Sequence, residues 1–161
     1  MINLKKKNFF QLIFLISLFA LISAYFIEYI LGYQPCDLCL IERIPYMGAL
    51  IIILINFKFN YLEKYFLLLL IFIFFAGTLI SLYHLGIEQG LITESLVCDI
   101  QNESVGLSKE EILKQLQQKN VSCKDVTFKI FGLSLTTFNM IISCLITIVL
   151  IKIYFEYDKN K

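Results

Sequence analysis

Charge is scarce in this chain of 161 residues: 17% of it is Asp, Glu, Lys or Arg, against 58% hydrophobic residues, and the mean hydropathy is +0.76. That composition is too apolar for one small water-soluble core and places the chain in a bilayer. There is no internal repeat, no Gly/Ser-rich or Pro-rich linker and no low-complexity tract, so a single domain over residues 1–161 is expected. No basic stretch offers a face for nucleic acid: the long polar segment has five lysines (Lys109, Lys114, Lys119, Lys124, Lys129) against seven acids once Glu88 is included. Flavin and haem motifs are missing as well. Tryptophan is absent, and histidine occurs once, at His84.

What the chain has is apolar length. Four stretches, about Phe9 to Leu31, Leu40 to Phe57, Tyr65 to Leu85 and Phe131 to Phe155, can each cross roughly 30 Å of hydrocarbon. Backbone polar groups in lipid have to be satisfied within each segment, so the spans are helices and the fold class is all-α, a four-helix transmembrane bundle. Lys5, Lys6 and Lys7 precede the first span, Lys58 and Lys64 lie between the second and third, and Lys152, Lys159 and Lys161 lie at or after the end of the fourth. The positive-inside bias puts all three regions, and both termini, in the cytoplasm. The opposite side receives a short loop around 32–38 and a long one over about 86–130. Lys5–Lys7, the apolar run and the small residues Ala20, Ser23 and Ala24 also fit a cleaved leader, but the run continues to Leu31 and a retained first span is expected.

Within the long loop, Ser108-Lys109-Glu110-Glu111 fits a capping box, and Ile112, Leu113 and Leu116 then recur on one face, which predicts a short surface helix. Pro35 suits a first helical turn. Pro45, ten residues on, removes one intrahelical bond and is expected to bend the second span beside Glu42-Arg43.

Position makes the five cysteines informative. Cys36, Cys39, Cys98 and Cys123 fall on the outer side, where disulfides persist, while Cys144 lies within the last span and reads as a packing residue. Cys36-Asp37-Leu38-Cys39 sets two sulfurs at i and i+3 at a helix N-terminus, within reach of a bridge and where the dipole favours a thiolate. Half of a zinc site is the rival reading, but Cys98 and Cys123 stand apart with 24 residues between them and no metal is expected. Cys98 and Cys123 read as the ends of a loop-closing disulfide. The pair is either a staple or, with a second pair in the same compartment, a partner in thiol exchange. Arg43 follows Cys39 by four residues, hence on the same helix face, inside a span where arginine is costly. It can stabilise a Cys39 thiolate or charge on a reduced acceptor, or simply pair with Glu42. His84 ends the third span beside Tyr83, as a proton carrier, an acceptor contact or an interfacial histidine.

Pro35-Cys36-Asp37-Leu38-Cys39 followed by Glu42-Arg43 resembles the P-C-x-L-C-x-x-E-R signature of the DsbB family of membrane oxidoreductases. Tyr83-His84 with Gly86 and Glu88, and Phe131-Gly132-Leu133-Ser134 with Asn139, resemble its weaker later motifs, so the likeness covers most of the chain. It implies a quinone-dependent protein-dithiol oxidoreductase of the bacterial inner membrane, with its redox cysteines in the periplasm. Cys98 would be attacked by a periplasmic thioredoxin-fold (DsbA-like) oxidase, with Cys123 as its partner. Cys123 would then join Cys36, freeing Cys39 as a thiolate that donates to ubiquinone or menaquinone beside Arg43 and His84. Phe138 stands before Asn139 where the family often has a larger aromatic, and Cys144 is an additional thiol. Two other readings compete. In a vitamin K epoxide reductase-like enzyme the C-x-x-C comes late in the chain, whereas here it comes first; a non-catalytic, disulfide-braced partner-binding subunit would leave both pairs permanently oxidised.

Overall fold

The computed structural model describes residues 2–58, 63–93, 122–124, 128–130 and 132–159. Its helices are α1 (Ile2–Tyr29), α2 (Asp37–Ile41), α3 (Ile44–Lys58), α4 (Glu63–Glu88) and α5 (Leu135–Lys159). Four helical spans are long and apolar enough to cross a membrane: Asn8–Tyr29, Asp37–Lys58, Glu63–Glu88 and Leu135–Glu156. The all-α, four-span expectation therefore holds. The expected surface helix from Ser108 lies outside the described residues, as does Cys98.

Two boundaries differ from expectation for local reasons. The second span does not bend smoothly at Pro45 but breaks into α2 and α3. Pro45 has no N–H for the carbonyl of Ile41, so the chain turns at Glu42-Arg43, Glu42 N–H bonding Leu38 O at 2.9 Å and Arg43 N–H bonding Leu40 O at 3.2 Å. Pro45 then sits in the first turn of α3, where a missing N–H costs nothing. The fourth span begins at Leu135 and not at Phe131. Strands β1 (Lys129–Ile130) and β2 (Leu133–Ser134) pair antiparallel about Gly132, whose φ of +83° suits a residue without Cβ. Ser134 then caps α5, its Oγ accepting from Thr137 N–H at 3.3 Å.

The bundle closes through α4 against α5, α1 against α3 and α3 against α4. Phe10, Ile13, Tyr46, Ala49, Ile53, Leu67, Leu70, Phe74 and Leu150 fill its centre. Gly77 admits the broken second span: a Cβ there would stand 2.9 Å from Pro45 Cγ, too close for two carbons. Phe19, Ile22, Phe72, Phe75 and Leu145 remain exposed on the outside, as expected of helices whose outer solvent is lipid. The C-terminal ends of α1 and α4 and the N-terminal ends of α2 and α5 meet at one end of the bundle, and the buried polar side chains Glu42, His84, Ser134 and Thr136 belong to that end.

Candidate functional site

Cys36 is the N-cap of α2, in extended conformation at φ −75° and ψ 168°, and its Sγ accepts from Cys39 N–H at 3.3 Å. The turn that follows brings Cys39 Sγ to 2.7 Å from Cys36 Sγ, both present as thiols. Cys36 is pulled down to about 5, first by the Cys39 thiol and then by His84, against a burial that alone would raise it. A shift in that direction favours the thiolate, the reactive form in disulfide exchange.

His84 reaches the pair from the end of α4 and is 1% exposed. Its Nε2 lies 3.5 Å from Cys36 Sγ, and its Nδ1 lies 2.9 Å from Glu42 Oε1 and 3.3 Å from Thr136 Oγ1. Thr136 donates to Glu88 Oε1 at 2.7 Å, so its oxygen is left to accept from Nδ1–H, and this network fixes Nδ1 as the protonated nitrogen. Nε2 is then free to exchange a proton with Cys36 Sγ. The other oxygen of Glu42 accepts from Asn139 Nδ2 at 2.8 Å, a nitrogen that also donates to Ser81 Oγ at 2.8 Å. Tyr46 OH donates to Asn139 Oδ1 and lies 3.2 Å from Ser143 Oγ. Every oxygen of the buried Glu42 is thus satisfied, and the network ties α3, α4 and α5 together beneath the cysteines.

Arg43 follows the break between α2 and α3 and still lines the same cavity as Cys39. Its guanidinium reaches α1, donating to Glu28 Oε2 at 2.6 Å and lying 5.1 Å from the centre of the Tyr25 ring. The pairing with Glu42 that the sequence allowed is replaced by this one. Arg43 Nε is buried and has no hydrogen-bond partner among the described residues.

Cys36, Cys39, Arg43, His84 and Cys123 all line one cavity of about 330 Å³, walled on its apolar side by residues such as Phe19, Ala20, Ile27 and Phe138. Cys123 is 3% exposed and disulfide-bonded, and it packs with Cys36, Leu38 and Ile87 in one buried cluster. Cys144 is a free thiol that does not line the cavity. The residues that sequence reasoning missed are Glu28, Ser81 and Thr136, with Glu88 and Asn139 noticed only as motif letters. Glu28 had a readable signal, an acid inside a run of apolar residues.

The chain matches the family model for the disulfide bond formation protein DsbB over residues 6–153. It is 33% identical to an uncharacterized protein of Rickettsia prowazekii, over 99% of this chain and 96% of that one. It is 33% identical to the SPbeta prophage-derived disulfide bond formation protein B of Bacillus subtilis, over 66% of this chain and 70% of the relative. To the disulfide bond formation protein B of Marinobacter nauticus it is 27% identical over 78% of each. Four apolar helices, a cysteine pair activated at their end and a family match along nearly the whole length lead to one conclusion: the chain belongs to the DsbB family, as a multi-pass membrane oxidoreductase of disulfide bond formation.

Proposed function

We propose that this protein reoxidises a periplasmic dithiol oxidase of the thioredoxin fold, DsbA-like, and passes the electrons to a membrane quinone, ubiquinone or menaquinone. The observation that carries the reading is the burial of Cys36 and Cys123 in one cluster that borders an apolar cavity. A loop staple has no need to lie against a second reactive pair.

The steps balance as thiol exchange. A donor thiolate attacks Cys98 of a Cys98–Cys123 disulfide, and the donor's second thiol resolves the mixed disulfide, leaving Cys98 and Cys123 reduced. Cys123 then attacks Cys36 of a closed Cys36–Cys39 bridge and releases the Cys39 thiolate. Cys98 attacks Cys123 in turn, restoring the outer disulfide and freeing Cys36. His84 Nε2, 3.5 Å from Cys36 Sγ, takes up or returns the proton as that sulfur changes state. When Cys36 and Cys39 close again they give up two electrons and two protons.

A quinone in the cavity supplies the two-electron, two-proton acceptor. The fit is supported by the volume of about 330 Å³, within the roughly 300–1,000 Å³ of small-molecule sites, by the apolar walls, and by the unpartnered, buried Nε of Arg43, a donor for a carbonyl oxygen. Arg43 also sets a positive charge where negative charge develops. The lysine bias along the sequence favours cytoplasmic termini with the cysteines on the opposite side, and the family likeness makes that side the periplasm of a bacterial inner membrane.

The test is quinone reduction by purified protein with a reduced thioredoxin-fold oxidase as donor. Catalytic turnover that is abolished in Cys39→Ser and in Cys98→Ser is expected. Absence of quinone reduction in folded protein carrying both disulfides would return the cysteines to a bracing role.

A further inference from the structure

Cys36 Sγ, Cys39 Sγ and the histidine nitrogen offered by His84 all lie within 4.8 Å of one another. A fourth donor stands beside them, since Glu88 Oε1 is 3.9 Å from His84 Nε2, and both side chains are buried, at 1% and 8% exposure. Two sulfurs and a histidine nitrogen that converge from α2 and α4, with the Glu88 carboxylate next to the histidine, form a recognisable set for a tetrahedral, borderline-soft divalent cation.

The surroundings are those of a metal site too. The remaining nitrogen of His84 is held by Glu42 at 2.9 Å, and Glu88 Oε1 is held by Thr136 at 2.7 Å, so the two ligands that are not sulfur are oriented by partners of their own. A carboxylate behind a histidine, fixing the tautomer that leaves Nε2 free, is the usual second layer of a zinc centre. Tetrahedral bonds of about 2.3 Å to sulfur and about 2.0 Å to nitrogen separate neighbouring ligand atoms by roughly 3.3–3.8 Å. The Cys36–His84 contact of 3.5 Å and the His84–Glu88 contact of 3.9 Å are near that already. The two sulfurs, at 2.7 Å, have to part by about 1 Å and the Glu88 carboxylate has to swing toward them, which rotations of the half-exposed Cys39 and of the Glu88 side chain provide.

We propose that the reduced protein binds one zinc-like divalent cation through Cys36, Cys39, His84 and Glu88, and that the oxidised protein does not. Binding exchanges the two thiol protons for the metal, releases both to solvent, and changes no oxidation state. Closing the Cys36–Cys39 bridge removes two ligands, so occupancy reports the redox state of the pair. A filled site holds both sulfurs apart and blocks the pair from re-forming a disulfide. Binding requires only that the pair can be reduced, wherever its electrons go afterwards.

Cobalt(II) is the probe, added without oxygen to the full chain in detergent, once reduced and freed of reductant and once oxidised. One equivalent with thiolate-to-cobalt charge-transfer absorption and the visible bands of a tetrahedral ion is expected in the reduced protein, none in the oxidised protein, and displacement by zinc(II). Cys36→Ser is expected to lose most of the charge-transfer intensity, and Glu88→Gln to keep it while weakening binding by about 10–100-fold. Absence of these bands in the reduced protein, or equal binding by the oxidised protein, would overturn the proposal whatever the variants do. The redox comparison uses one unaltered chain, so it decides the matter even where a variant fails to fold. Metal binding without quinone reduction would count against the oxidase reading alone.

Discussion

His84 Nδ1 lies 2.9 Å from Glu42 Oε1, although the two residues are 42 apart in sequence, one in α4 and the other at the C-cap of α2. This contact turns the other face of the imidazole toward Cys36, so one carboxylate at the α2–α3 break positions the histidine that, after the Cys39 thiol, lowers Cys36.

Glu42→Gln is expected to leave the fold in place, since the amide still fits, but to loosen the tautomer of His84. The pH at which reduced Cys36 becomes half-reactive toward alkylation should rise by about one unit, the equivalent of about 1.4 kcal/mol, with the rate near neutral pH little changed. Alkylation of protein lacking Cys98, Cys123 and Cys144 leaves Cys36 and Cys39 alone, and peptide mapping of quenched samples separates the rate of Cys36 from that of Cys39.

The acidity of Cys36 gives a pH profile of stated sign. A thiol lowered to about 5 is already ionised above that pH, so alkylation in the presence of a chelator should be level from pH 6 to 8 and fall as pH drops through about 5. Cys39→Ser removes the largest cause of the lowering, the Cys39 thiol, and the midpoint should move upward. Rates followed by mass spectrometry from pH 4 to 9 measure both.

Arg43→Lys keeps the charge but loses the planar fork that donates to Glu28 and carries the unpartnered Nε. Within the proposed function its effect falls on the acceptor: KM for quinone should rise about tenfold, as expected for losing one hydrogen bond from a charged group, with the KM for the protein donor unchanged. Steady-state kinetics with each substrate varied in turn separate the two.

Gly77→Ala places a methyl 2.9 Å from the Pro45 ring and should destabilise the bundle by about 1–3 kcal/mol. Adding Pro45→Ala makes room and should restore part of the loss. Thermal unfolding in detergent, followed by the accessibility of buried thiols, measures the pair.

Hydropathy made the four spans legible, because a bilayer leaves few alternatives to a helix of that length, and C-x-x-C followed by Glu-Arg marked the reactive end. Pro45 announced a disturbance but not its form. Whether a proline bends a helix or restarts it depends on what it packs against, here Gly77 on another span. Counting four residues from Cys39 put Arg43 on the side of the cysteines, and both line one cavity, but the spacing gave no sign of its partner Glu28 on another helix. The polar network was not readable at all, since Asn139 meets Glu42 across 97 residues, and the rotation of each span about its own axis is set by packing and not by its own sequence.

Whether both cysteine pairs turn over in sequence is read from the thiol state of each cysteine after quinone-free protein meets excess reduced thioredoxin-fold donor. Trapping with a mass-tagged alkylating agent and peptide mapping reads all of them in one sample. Cys36, Cys39, Cys98 and Cys123 are all expected to become alkylated, and added quinone to return all four to the oxidised form. Cys36 and Cys39 staying bridged while only Cys98 and Cys123 react would contradict sequential turnover.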